Sequence, residues 1–407
     1  VSAQIMERVL GSRLEHRPAS VGTYAVNLRA FDSVRDFINS ATITTLIDVP
    51  FAVIFCAVIF WIAPMVLLPL ILGVILVLGY VSLGRAKLRE LSESTHRAGI
   101  QRNATLIESL VGLDTIKALG AESKTQRRWE EATAFLARTG VQLRMVSNSN
   151  MFVTAGATQL VTLFVVVTGV YLITEGELSM GGLIACSMLS GRVMAPVGQM
   201  AGMITQFQYA QISLGSVEQV METPQERPEG ARFLSRERFN GDIEFKKVSF
   251  AYPGSEVPSL VDVSFKIKQG EKVAILGRVG SGKTTLQKLA MGLFQPTDGA
   301  VLVDGIDLRQ LDPAEFRKQV GYMPQDITLF HGTLRENIVL SHPYVNDAEI
   351  LKAAEIANLT EFINRHPQGF DMMISERGDS LSGGQRRCVA LSRAILNDPG
   401  LMMMDEP

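Results

Sequence analysis

Lys272-Val273-Ala274-Ile275-Leu276 runs without a break into Gly277-Arg278-Val279-Gly280-Ser281-Gly282-Lys283-Thr284-Thr285. The first five residues carry the short apolar pattern of a buried strand. The rest matches G-x-x-x-x-G-K-[ST], a phosphate-cradling loop when it lies between a strand and a helix. Glycines let backbone amides turn toward phosphate oxygens, and the helix beginning at Thr284 adds the positive end of its dipole. In this pattern Lys283 reaches the β- and γ-phosphates and the Thr284 hydroxyl holds Mg²⁺. Nucleoside triphosphate binding is therefore expected at residues 277–285.

Working outward, Leu401-Met402-Met403-Met404 reads as an apolar strand ending in Asp405 and Glu406. At a strand end the first carboxylate can meet the Mg²⁺ shell, and the second can orient and deprotonate an attacking water. Upstream, Asp242 to Val248 alternates as a strand does. Between Glu218 and Asn240 the composition turns polar, with Pro224 and Pro228, which sets a linker over 216–240.

The N-terminal half belongs to a different solvent. Mean hydropathy is +0.19 overall, yet Phe51–Leu83 and Met151–Ile173 contain no charged residue. The first run is about 33 residues, about 50 Å as one helix against a hydrocarbon core of about 30 Å. Pro64 and Pro69 break it, so a hairpin of two spans is expected, with Trp61 as an interfacial anchor at the turn. Spans are placed at 46–62, 65–84, 151–173 and 180–205. The last is poorer in large apolar residues and carries Arg192, which either faces a polar path or snorkels. Arg8, Arg13, Arg17, Arg29 and Arg35 precede the first span, and many basic residues fill 85–150. The turn at Pro64 is uncharged and Thr174-Glu175-Gly176-Glu177 is acidic, so segments 1–45 and 85–150 face the cytoplasm. Leu106, Ile107, Leu110, Leu113 and Ile116 recur at helical spacing, and a break is expected around Gly120.

The formal net charge of -2 gives no support to nucleic-acid binding. Cys56, Cys186 and Cys388 follow neither metal-ligand nor disulfide spacing. The sequence opens at Val1 in amphipathic sequence without a signal-peptide pattern and closes inside a motif at Pro407, so it is expected to be a piece of a longer chain.

Between the two nucleotide motifs lies Leu381-Ser382-Gly383-Gly384-Gln385, followed by a helix expected from Gln385 to Leu396. This resembles the signature of ATP-binding-cassette proteins. The resemblance implies a membrane all-α domain of type I exporter helices over 1–215. It also implies an α/β P-loop nucleotide-binding domain with a signature-helix subdomain over 241–407. Further implied are ATP and Mg²⁺ as cofactors, Tyr252 against adenine, and Gln325 with Thr284 and Asp405 around Mg²⁺. Glu406 would be the catalytic base, and Leu381–Gln385 would contact the ATP held by a second half-transporter, most simply an identical copy. The run Leu329 to Ile338 and the pair Arg377-Gly378 are similar to exporters. Gly112 to Lys117, Gln126 to Glu130, Arg278 and Arg192 resemble the type I secretion subgroup. That implies ATP hydrolysis coupled to export of a protein or peptide across the bacterial inner membrane, with lipid, a periplasmic adaptor and an outer-membrane channel as further partners. A drug or lipid exporter and a soluble ATPase of the same superfamily are the alternatives; the uncharged runs argue against the latter. Arg17-Pro18-Ala19-Ser20 and Gly120-Ala121-Glu122 would meet the ATPase. In the family an aspartate loop and a switch histidine follow Glu406, and none of His16, His96, His331, His342 or His366 stands at that place. Two further spans would precede Val1. The sequence as it stands is therefore expected to bind ATP weakly and hydrolyse it poorly.

Overall fold

The computed structural model describes residues 2–16, 31–32, 34–38, 43–340, 342 and 344–406. The expected contact at Arg17-Pro18-Ala19-Ser20 lies outside them. Two compact units are present: residues 1–10 with 18–223, and residues 11–17 with 224–407.

The first unit is helical. Helix α1 (Ser2–Leu10) packs Ile5 against Val217 and Val220. Helix α2 (Ile43–Ile62) stops where Ala63 turns extended and Pro64–Val66 forms a single 3-10 turn, with Pro at its first position. Proline lacks the donor a continuing helix needs but suits the start of a new one. Helix α3 (Leu67–Val111) then runs for 45 residues, about 67 Å, so more than half of it lies beyond a hydrocarbon core of about 30 Å. It ends at Gly112, earlier than expected. A short α4 (Leu113–Ala118) follows, and Gly120, at φ +59, turns the chain into α5 (Glu122–Thr174). Only glycine takes that left-handed conformation freely. Helix α6 (Met180–Glu222) is N-capped by Ser179 and continues into the stretch read as linker.

Ile59, Val77, Val81, Val161, Val165, Cys186 and Met194 form the packed interior of this unit. Phe60, Trp61, Leu72, Leu83 and Phe164 are exposed. Apolar residues outside as well as inside are what a helical bundle in lipid requires. Among the described residues three helices are long and apolar enough to cross a membrane: Pro64–Val111, Glu122–Thr174 and Met180–Met200. Ile47–Ile62 is apolar but shorter; the whole of α2, 20 residues, gives about 30 Å.

The second unit has two cores. Strands β1 (Ile243–Phe250) and β2 (Leu260–Ile267) pair antiparallel, as do β1 and β3 (Asp298–Val303), which carries β4 (Ile306–Asp307) at its edge. Ile243, Phe245, Val248 and Phe250 turn inward, and the register shifts where the alternation skips between Phe245 and Val248. This sheet packs on α7 (Lys283–Ala290) and α8 (Pro313–Lys318) through Leu289 and Phe316. Strand β5 (Val320–Met323) pairs parallel with β8 (Leu401–Met404), Met323 opposite Met404. The second core joins α9 (Leu334–Ile338), α10 (Asp347–Ile356), α11 (Thr360–Arg365) and α12 (Gly383–Ile395) through Leu334, Ile350, Ile363 and Val389. It also includes the two-residue pair of β6 (Gly332–Thr333) with β7 (Met373–Ile374).

One expectation is corrected. Residues 272–276 do not form a strand and are exposed, Leu276 at 91%. A strand exists only through its ladder partners, and among the described residues none pairs with 272–276.

Candidate functional site

The phosphate loop closes by a turn in which the Ser281 amide donates to the Arg278 carbonyl at 3.1 Å. Gly280 and Gly282 sit at φ +81 and +89, and a Cβ on Gly282 would stand 2.7 Å from Leu260 Cδ2. Side chains are thus barred from this position on two grounds. Gly282 caps α7 without any side-chain hydrogen bond, so the first amides of the helix remain available to an anion. Lys283 Nζ donates to the carbonyls of Gly277 (2.9 Å) and Arg278 (3.0 Å). An ammonium so held has a third proton to give and can exchange a carbonyl for a phosphate oxygen.

The far end of the sheet meets this loop. Thr284 Oγ1 donates to Asp405 Oδ2 at 2.8 Å, and the Asp405 amide donates to the Met323 carbonyl at 3.0 Å. Gln325, just after β5, donates from Nε2 to Glu406 Oε2 at 2.9 Å. The parallel pairing of β5 and β8 delivers both carboxylates and the glutamine to one edge. Glu406 stands at φ +49, an uncommon backbone state for a non-glycine residue and one that clusters at functional sites. Burial, and then the neighbouring Asp405 charge, push the Tyr322 phenol above its ordinary pKa.

Tyr252 is half-buried. Its ring packs edge-on against Phe250 and Phe294, its hydroxyl lies 3.1 Å from Thr285 Oγ1, and Lys288 Nζ stands 5.7 Å from the ring centre. Tyr252, Gly280–Thr285, Gln325, Asp405 and Glu406 line one open cleft of about 370 Å³. Three oxygen donors, from Thr284, Gln325 and Asp405, suit a hard cation such as Mg²⁺, which takes the rest of its shell from water and phosphate. Among the described residues no group of three or more His, Cys, Asp or Glu side chains is arranged to hold a metal, so a self-sufficient protein cage is not offered.

Leu381–Gln385 does not line this cleft. Helix α12 begins at Gly383, earlier than expected, with Ser382 as its cap. Ser382 Oγ accepts from the Gln385 amide (3.3 Å) while Gln385 Oε1 accepts from the Ser382 amide (2.8 Å). Leu381 is buried and anchors the turn; Ser382, Gly383 and Gly384 are exposed. Of the expected residues, then, the structure joins two motifs in one cleft and sets the third on a surface of its own.

Arg393 was not picked out from the sequence. Its Nε donates to the Asn337 carbonyl at 2.8 Å and a terminal nitrogen reaches the Thr328 carbonyl at 3.4 Å. Asn337 in turn clasps the Phe330 amide and carbonyl, both at 2.8 Å. Together they hold the loop that follows Gln325. Burial lowers the Arg393 pKa from its ordinary value. The available signal was a charge set among the buried residues Val389, Ala390 and Ala394 on one helix.

Comparison with known proteins bears on the same features. The family described as ABC transporter transmembrane region matches residues 16–197, and the family described as ABC transporter matches residues 260–407. The chain belongs to the ABC transporters. Residues 16–197 are its transmembrane region, in which three described helices are long and apolar enough to cross a membrane, and residues 260–407 match the ABC transporter family itself. Exotoxin translocation ATP-binding protein PaxB of Pasteurella aerogenes is 33% identical over 386 residues, covering 95% of this chain and 54% of that protein. Leukotoxin translocation ATP-binding protein LktB of Mannheimia glucosida is 34% identical over 392 residues, with the same coverage. This ABC transporter chain thus spans about half the length of the curated relatives it matches. In fold it resembles a bacterial Atm1-family ABC exporter with ATP bound, at a TM-score of 0.89 and 24% identity over 100% of this chain and 71% of that one.

Proposed function

We propose that the chain is part of an ATP-driven exporter of the bacterial inner membrane, moving a protein or peptide by type I secretion. The observation that carries this reading is the convergence of Thr284 with Asp405, and of Gln325 with Glu406, on the cleft of the phosphate loop. The same chain holds helices built for lipid. The relatives' names, which describe translocation of exotoxin and leukotoxin, favour protein cargo over a drug or lipid.

The residues take the following parts. Tyr252 offers its half-buried ring to the adenine. The amides of 277–285 and Lys283 take the β- and γ-phosphates. Thr284, Gln325 and Asp405 hold Mg²⁺, which when bound neutralises charge on the transferring phosphoryl group. Glu406 accepts the proton of the attacking water, and Gln325 aligns its carboxylate. Leu381–Gln385, anchored by buried Leu381 and exposed at Ser382–Gly384 on a separate surface, presents the amides at the start of α12 to the nucleotide of a second copy. Closure of two such pairs would be passed through the cytoplasmic helices to the spans. A second copy, lipid, a periplasmic adaptor and an outer-membrane channel are the proposed partners.

The test is Glu406→Gln in the complete protein. A lost general base slows turnover by about 10²-fold or more, while bound ATP stays trapped. Turnover equal to that of the parent would remove Glu406 from the proposed role.

A further inference from the structure

The linker is held to the ATPase unit by a compact set of charges that the nucleotide chemistry leaves unused. Arg317, near the end of α8, makes a two-pronged pair with Glu226, at 2.7 and 2.9 Å. Both side chains are about four-fifths buried. The same guanidinium donates to the carbonyls of Met291 (3.1 Å) and Gly292 (2.7 Å). Those carbonyls end α7, the helix whose start is the phosphate loop. One residue on, Arg227 pairs with Asp312, which is buried and caps the start of α8 by accepting from Ala314 and Glu315 amides. Two consecutive linker charges therefore grip both ends of α8. That helix leads directly into β5 and Gln325.

A third strand of connection enters from residues 11–16. The Glu226 amide donates to the Gly11 carbonyl (2.8 Å) and the Arg13 amide to the Pro224 carbonyl (3.0 Å). Arg13 also donates to Gln295, whose amide donates to Glu15 at 2.8 Å. Gln295 lies five residues past the end of α7.

We propose that Arg317 is a positioning residue that couples occupancy of the phosphate loop to the linker that follows α6. The proposal rests on the ATP-binding reading above. A bidentate arginine is stiffer than a pair of point charges, since its planar fork fixes direction as well as distance. Helix α7 is a short rigid rod with the phosphates at its positive end and Arg317 at its carbonyl end. A small rotation of that rod when phosphates bind must be met by Arg317, and through it by Glu226. The phosphate loop and the linker are then joined through the backbone of α7 and the hydrogen bonds of Arg317.

Hydrogen exchange on the complete protein in lipid nanodiscs, with and without Mg²⁺ and a non-hydrolysable ATP analogue, tests this. In the parent the analogue should slow exchange at amides of 277–284 and, by about fivefold, at those of 225–227, the low end of ordinary coupling. Glu226→Gln, which keeps shape and removes the charge, should keep the first response and cut the second to less than about twofold. Arg317→Met should do the same more completely; if it does not fold, Glu226→Gln alone decides. A pair that is merely structural would raise linker exchange equally in both states and leave the ratio at its parent value, which overturns the proposal. A linker in the parent that ignores the analogue, while 277–284 responds, overturns it too. Should 277–284 itself not respond, the ATP-binding reading fails and this one with it.

Discussion

The helices that begin at Lys283 and at Gly383 both start in glycine-rich sequence, yet they start in opposite ways. The first has Gly282 in a left-handed conformation and no side chain on its free amides. The second closes its own end through the reciprocal Ser382–Gln385 bonds. One end has no side-chain cap, and the other caps two of its own amides. On the proposed reading the difference has a reason: a site that seizes phosphate leaves its donors unspent, whereas one that would meet a nucleotide only when a second copy arrives has to be stable alone.

Lys283→Ala should break the first end most. Losing a charged donor to a desolvated phosphate costs about 3 kcal/mol, which weakens Mg-ATP affinity by about 10²-fold. Equilibrium binding of a fluorescent ATP analogue measures it. Ser382→Ala should do the reverse: it leaves that affinity in the single chain unchanged and costs about 1 kcal/mol of stability by removing a cap. Urea unfolding measures that loss. Equal effects of the two substitutions on both quantities would erase the contrast.

The smallest effect lies away from both helices. Burial, partly offset by its backbone hydrogen bond to Lys318, lowers the His342 pKa. The unfolded chain then takes up a proton at about pH 6.5 before the folded one does, so stability falls as pH drops below that value and is regained above it. A thermal midpoint lower at pH 5.5 than at pH 7.5, with the difference reduced in His342→Gln, is the expected result. An unchanged difference in the variant would assign the pH dependence elsewhere.

The membrane helices were legible because lipid allows few solutions: a long run without charge must be helix, and Pro64 had to interrupt it. The phosphate loop was legible because its glycines have a backbone reason that leaves no substitute. Residues 272–276 were misread since a strand depends on neighbours far away in sequence, which a local apolar pattern does not contain. The extra break at Gly112 was missed for a milder reason, because its φ of -97 suits any residue. Glu226 and Arg317 escaped for want of any local sign. They are 91 positions apart, and each looks like an ordinary solvated charge until the fold buries them together.

The claim on which the rest stands is that the loop at 277–284 of one copy faces residues 381–385 of another across shared ATP. Cysteines placed at Ser281 and Ser382, with Cys56, Cys186 and Cys388 replaced by alanine and Glu406→Gln present, put it to measurement. Oxidation with Mg-ATP should give a species of twice the chain mass, and oxidation without nucleotide should not. A chain that keeps its single mass under both conditions, with ATP demonstrably bound, would contradict the account.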